Sequence, residues 1–273
     1  VIDGPGDLAD REREAVEELL FRLADDEFVL AERYTEWQIY APTLESDLAL
    51  ANVAQDEYGH ARLWYDLLQE LGYAEADLIW ERDPATWTHS TLAELAFEEG
   101  DWADAMVRSY LYDVAERLRL EALVDTSYAP IADRVGKALA EEGYHREHAQ
   151  SWLDRLAVEP GSESHDRVRA AVERLFPHAL TLFEPGPRED AIVEFGLRTE
   201  TLSDLRTAWL ETVIPYLEAL DLDVPDPDDA SLPTVRGRDG SHTDDWFDLF
   251  ESFTATYDEL GRREPARLRG ENA

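Results

Sequence analysis

The stretch "DEYGH" at 56–60 returns, little altered, as "EEGYH" at 141–145. Each copy sets a Glu three residues before a His, with a further acid directly ahead of the Glu. On a helix, positions i and i+3 share one face a turn apart, so the carboxylate and the imidazole can reach the same ion. The chain has 33 Glu and seven His in 273 residues, and chance alone supplies about one such spacing. Register carries more weight than occurrence. Glu57 and Glu142 lie 85 residues apart, as do His60 and His145, and Asp56 and Glu141.

Working outward from these copies, the apolar spacing is helical almost throughout, with no convincing alternating strand. A first helix is predicted from about Asp10 to Tyr40 and a second from about Leu44 to "LGY" at 71–73, where Gly72 is a natural stop. Residues 73–90 contain Pro84 and no clear period, and their length suits a crossover better than a tight hairpin. A third helix is expected over about 91–124 and a fourth over about 131–157. Shorter amphipathic segments follow near 166–183, 188–198 and 201–220. An Asp/Pro loop at 221–240 then leads to a last helix starting near Ser241. The expected class is all-α: one domain made of a ferritin-like four-helix bundle (about 10–157) with a C-terminal helical annex (about 158–273).

In two such hairpins the partner helices must offer acids at the same depth. Reflecting Glu57 through the turn near Pro42 lands on Glu27. Reflecting Glu142 through the turn near Ser127 lands on Asp113, with Glu116 one turn further as the alternative. Glu27 and Asp113 are 86 residues apart, nearly the offset of the motifs themselves. Six ligands are therefore expected at one level: Glu27, Glu57, His60, Asp113, Glu142 and His145. This is the donor set of a carboxylate-bridged dinuclear centre, and carboxylate with imidazole favours iron, or manganese, over magnesium. Buried acids without cations would repel one another. A metal-bound His needs its other nitrogen held, which assigns Asp56 to His145 and Glu141 to His60 across the bundle. His148 reads as a surface residue. His89, His165, His178 and His242 have no acids at ligand spacing. Trp37, Tyr58, Trp64, Tyr110, Tyr144 and Trp152 are core by default.

Composition bounds the rest. The formal net charge is −37, from 25 basic and 62 acidic residues, and Lys137 is the only lysine. The acids are spread along the whole chain, as on a protein adapted to concentrated salt, which screens their repulsion. Nucleic acid is disfavoured as a partner, because its binding needs clustered Lys and Arg. The absence of Cys rules out disulfides and thiolate metal sites. No apolar run of membrane-spanning length and no leader pattern is seen, so a cytoplasmic location is expected.

The stretches "APTLESDLALANVAQDEYGHARLWYDLLQELG" (41–72), "TSYAPIADRVGKALAEEGYH" (126–145) and "LRTAWLETVIPYLEALDLDVPDPD" (205–228) resemble the ferritin-like subunits of bacterial phenylacetyl-CoA epoxidase, the PaaA and PaaC types. The resemblance covers roughly residues 20–260. "ERYTEW" (32–37) and "RGRDGSHTDDWFDLF" (236–250) are closer to the PaaC type. It implies a multicomponent di-iron monooxygenase with two iron ions, phenylacetyl-CoA as substrate, and a PaaA-type partner, further subunits and a reductase alongside. In that family the PaaA type is catalytic and the PaaC type is structural, having lost most metal ligands. Here all six positions matching the PaaA ligands are filled. The chain is therefore expected to be a metal-competent PaaC-type subunit, with a non-catalytic scaffold as the first alternative and ferritin-like iron oxidation and storage as the second. Arg33, Arg62 and Arg146 are candidates for a CoA phosphate.

Overall fold

The computed structural model describes residues 2–97, 101–227 and 232–261. Four long helices form the bundle: α1 (Asp10–Trp37), α2 (Leu44–Glu70), α4 (Trp102–Glu121) and α5 (Ala129–Leu156), with α3 (Thr91–Glu94) a single turn in the crossover. The annex adds α6 (Glu163–Ala179), α7 (Glu189–Glu194), α8 (Leu202–Ala219) and α9 (Asp244–Leu260). Among the described residues β-structure is limited to one isolated bridge, Ile2 to Tyr128. No helix among them is long and apolar enough to cross a membrane. The fold is all-α and ferritin-like.

Local chemistry fixes the ends of these helices. Thr43 caps α2, its hydroxyl accepting from the Ser46 amide at 3.2 Å, and Gly72, at φ 104°, stops it in a conformation that costs other residues strain. Thr201 and Asp204 close a reciprocal box at the start of α8. Contacts between α1 and α2 run antiparallel: Arg13 reaches the Leu71 carbonyl, Tyr65 donates to Asp25, and Phe28 packs edge-on against Tyr58. In the second hairpin Trp102 meets Trp152. One continuous buried apolar cluster takes in Leu20, Leu67, Leu111 and Leu153 of the bundle with Val172, Trp209 and Trp246 of the annex.

Two expectations are corrected. The third helix does not run unbroken over 91–124. It forms α3, leaves helical geometry at Leu95 (ψ 136°), and restarts as α4 with Asp101 capping the Ala103 amide; residues 98–100 of that span lie outside the described residues. The break is held by side chains that take up the released backbone groups. Buried Arg108 donates to the carbonyls of Leu95 and Ala96, and Asp245 of α9 accepts from the Ala96 amide at 2.9 Å. Tyr144, expected in the core, is half exposed. Residues 228–231 of the Asp/Pro loop and 262–273 of the annex also fall outside the described residues.

Candidate metal centre

The two hairpins bring Glu27 of α1, Glu57 and His60 of α2, Asp113 of α4, and Glu142 and His145 of α5 to one level, all fully buried. The inward Nδ1 of His60 lies 3.5 Å from Glu27, 4.0 Å from Glu57 and 3.6 Å from Glu142. The inward Nδ1 of His145 lies 3.5 Å from Glu57 and 3.5 Å from Glu142. Asp113 completes a trio with Glu57 and His145. Glu57 and Glu142 thus face both imidazoles, whereas Glu27 belongs to the His60 side and Asp113 to the His145 side.

The outward nitrogens are tied down across the bundle. His60 Nε2 is 2.8 Å from Glu141 Oε2, and His145 Nε2 is 3.2 Å from Asp56 Oδ2. A ring that donates from Nε2 to a carboxylate keeps its lone pair on Nδ1. Once Nδ1 gives up its proton, each ring therefore directs that lone pair at the carboxylates in the middle.

That middle lacks hydrogen bonds. Both oxygens of Glu27, Glu57 and Glu142, Asp113 Oδ1, and both Nδ1 atoms are buried without a partner. Buried polar groups are nearly always paired, and this many orphans in one place make these atoms a candidate set of donors for a cation. The electrostatics agree. Burial, and then Glu57, push the Glu27 carboxyl up to about 8. Burial and Glu142 raise Asp113 well above the usual carboxylate range. Burial on its own would lower the histidines, yet the surrounding acids outweigh it, taking His60 to about 10 and His145 to about 12. The layer is short of positive charge, and two divalent ions fit that deficit.

Glu116 differs from Asp113. Its carboxylate pairs with Arg119, so it carries its own counter-charge, although one oxygen is left free. Asp113 is held by the Ser109 hydroxyl one turn earlier, at 2.9 Å, with its second oxygen unpaired. Sequence reasoning missed Ser109, although Ser-x-x-x-Asp on a helix is a readable signal. It also missed Tyr34, whose buried hydroxyl has no hydrogen-bond partner and whose ionisation is opposed by burial, Asp113 and Glu57.

A third buried trio corrects the view that His89 and His242 have no acid. Glu94 Oε2 lies 2.7 Å from both His89 Nε2 and His242 Nδ1, and Glu94 Oε1 accepts from the Thr243 amide at 2.8 Å. His242 Nε2 reaches the Trp87 carbonyl at 3.0 Å. The three residues are close enough to hold an ion, but His89 Nδ1 is buried without a partner, and a metal-bound His keeps its other nitrogen bonded. Each Glu94 contact is already a good hydrogen bond. The trio is a clamp between the crossover and the annex, and although burial raises Glu94, the two rings hold it at about 2. Arg33, a candidate for a CoA phosphate, is also committed elsewhere: it is buried and donates to Glu94 O, Asp245 O and Glu36.

Comparison with known proteins gives the lineage. The family described as phenylacetic acid catabolic protein matches over residues 2–264. The C-type component of the 1,2-phenylacetyl-CoA epoxidase of Escherichia coli K12 is 30% identical over 226 residues, 82% of this chain and 88% of that protein. The A-type component of the same enzyme is 29% identical over 197 residues, 70% of this chain and 62% of that protein. The chain belongs to the phenylacetic acid catabolic protein family, with the longer of these two matches on the PaaC side.

Proposed function

We propose that this chain is one subunit of a multicomponent oxygenase of aerobic phenylacetate catabolism, and that it holds two iron ions between its hairpins. The reading rests on one observation above the rest: four acids and two imidazoles turn nine unpartnered buried atoms towards each other with no Arg or Lys among them. Glu27, Glu57, His60, Asp113, Glu142 and His145 are the ligands, and manganese is the other ion this donor set suits.

Iron held there supplies dioxygen activation when electrons are delivered. The protein's own contribution is positional. Glu57 and Glu142 face both rings and would hold metal from the middle of the layer, while Glu27 would hold it on the His60 side and Asp113 on the His145 side. Glu141 and Asp56 fix the tautomers, so that each ring offers Nδ1. Full burial of all six side chains keeps bulk water from the centre. Phenylacetyl-CoA is the proposed substrate, after the relatives' activity, and the partners are a PaaA-type subunit, other epoxidase subunits and a reductase.

A scaffold role is the second reading, favoured by the longer match to the PaaC-type relative. The test is iron per chain in wild type and in His60→Ala, followed by dioxygen-dependent turnover of phenylacetyl-CoA by the chain alone and with its partner subunits and reductase. About two irons, falling sharply in the variant, support the metal centre. Iron-free protein in both cases leaves the scaffold. Iron without turnover, even with all partners present, leaves a metal-holding scaffold.

A further inference from the structure

A second concentration of buried charge, of opposite sign, lies where the annex covers the bundle. Arg22 of α1, Arg119 of α4, Arg198 just after α7 and Arg238 of the annex loop line one cavity, with Glu189 and a wall of leucines and Ile192. All four arginines are at least nine-tenths buried. In a chain of net charge −37, four guanidiniums gathered from four segments need a local reason.

Four carboxylates stand near these four guanidiniums, but they are unevenly placed. Asp26 is shared by Arg119 and Arg238, Glu116 pairs with Arg119, and Glu189 pairs with Arg198. Among the described residues Arg22 hydrogen-bonds only the Glu184 carbonyl, at 2.8 Å, and its ion pair with Glu18 is stretched to 3.9 Å. Glu18 accepts instead from the Arg188 amide, at 3.1 Å. Arg119 Nε is buried with no acceptor. Burial and the charge of Arg238 bring Arg22 down to about 10, outweighing the opposite pull of Glu18, Asp26 and Glu189.

The cavity volume is about 30 Å³. A single water-sized particle needs roughly 10–15 Å³, so one monatomic anion fits and a phosphate or sulfate does not. Guanidinium is weakly hydrated, and the remaining wall is apolar, which suits a halide better than a strongly hydrated ion. We propose that this cavity is a binding site for one chloride-sized anion, held between Arg22 and Arg119, that joins the annex to the bundle. Water would satisfy the free N–H of Arg119 but would bring no charge to Arg22, whose nearest carboxylate stands at 3.9 Å.

Diffraction from crystals of the full chain grown with sodium bromide in place of chloride tests this, with data at the bromine absorption edge. An anomalous peak is expected inside the cavity. In parallel, the unfolding temperature is compared in chloride and in gluconate, too bulky to enter, at equal ionic strength. A higher value in chloride is expected, with the gap lost in Arg22→Met. No bromine signal in the cavity overturns the proposal. A signal with no chloride–gluconate gap, or with a gap unchanged in Arg22→Met, means an adventitious ion only and overturns it as a built site. Should Arg22→Met fail to fold, the wild-type peak together with the wild-type gap decides.

Discussion

Asp25, Asp26 and Glu27 are consecutive, fully buried acids on α1, yet they meet opposite fates. Successive residues on a helix point about 100° apart, so the three face different neighbours. Asp25 takes both guanidinium nitrogens of Arg82, at 2.7 and 2.9 Å, with Tyr65 and Thr88. Asp26 takes Arg119 and Arg238 and the Ser90 amide, and these arginines outweigh burial to hold its carboxyl below the usual range. Glu27 faces Glu57 and His60, and neither of its oxygens is bonded. Two acids are structural because the fold brings them arginine. The third is a candidate ligand because the fold brings it only other acids and imidazole.

The sharpest way to break this contrast is His60→Ala, which should remove most bound iron, measured as metal per chain, while leaving the helical content unchanged. The next largest effect is on the other side. Asp26→Ala takes from Arg238 its carboxylate and leaves Arg119 with Glu116 alone, and should cost about 3–5 kcal/mol in urea unfolding. Glu57→Gln relieves repulsion, so the metal-free protein should lose no stability while metal binding fails. A metal-free Glu57→Gln protein as damaged as Asp26→Ala would show that the two kinds of acid are alike.

Glu141→Gln and Asp56→Asn act one step out from the proposed ligands. Each should weaken metal affinity about 10–100-fold, read by competition with a chelator, with the fold intact.

The pH response has opposite signs in the two kinds of acid. Glu94, held at about 2 against an ordinary 4.5, gives stability that is present above pH 4.5 and is lost as pH falls towards 2. Glu27, raised to about 8, lowers the stability of the metal-free protein as pH climbs from 4.5 to 8, since the folded state resists giving up that proton. Thermal unfolding of the metal-free chain across pH should lose the acid-side fall in Glu94→Gln and soften the alkaline-side fall in Glu27→Gln. The smallest effect belongs to exposed pairs such as Arg167 with Glu163, where Arg167→Ala should change stability by less than about 1 kcal/mol.

Much of the candidate site was legible because its logic is local. Glu-x-x-His is a one-turn relation, and the acids on the partner helices follow from reflecting a hairpin through its turn. Pairs far apart in sequence were not legible. Nothing near Asp26 announces Arg238, 212 residues later, and nothing near Glu94 announces His242. The break in the third helix escaped notice because Arg108 and Asp245 satisfy the freed backbone through tertiary contacts, while the local apolar period continues.

The sequence by itself determined the helical class, the two hairpins, and the residues that stand at one depth along them, because period, turn position and one-turn spacing are properties of the chain's own geometry. Only the tertiary structure decided which buried acids receive an arginine and which are left facing one another. That choice depends on where distant segments of the bundle, crossover and annex place their cations, and no local pattern encodes it.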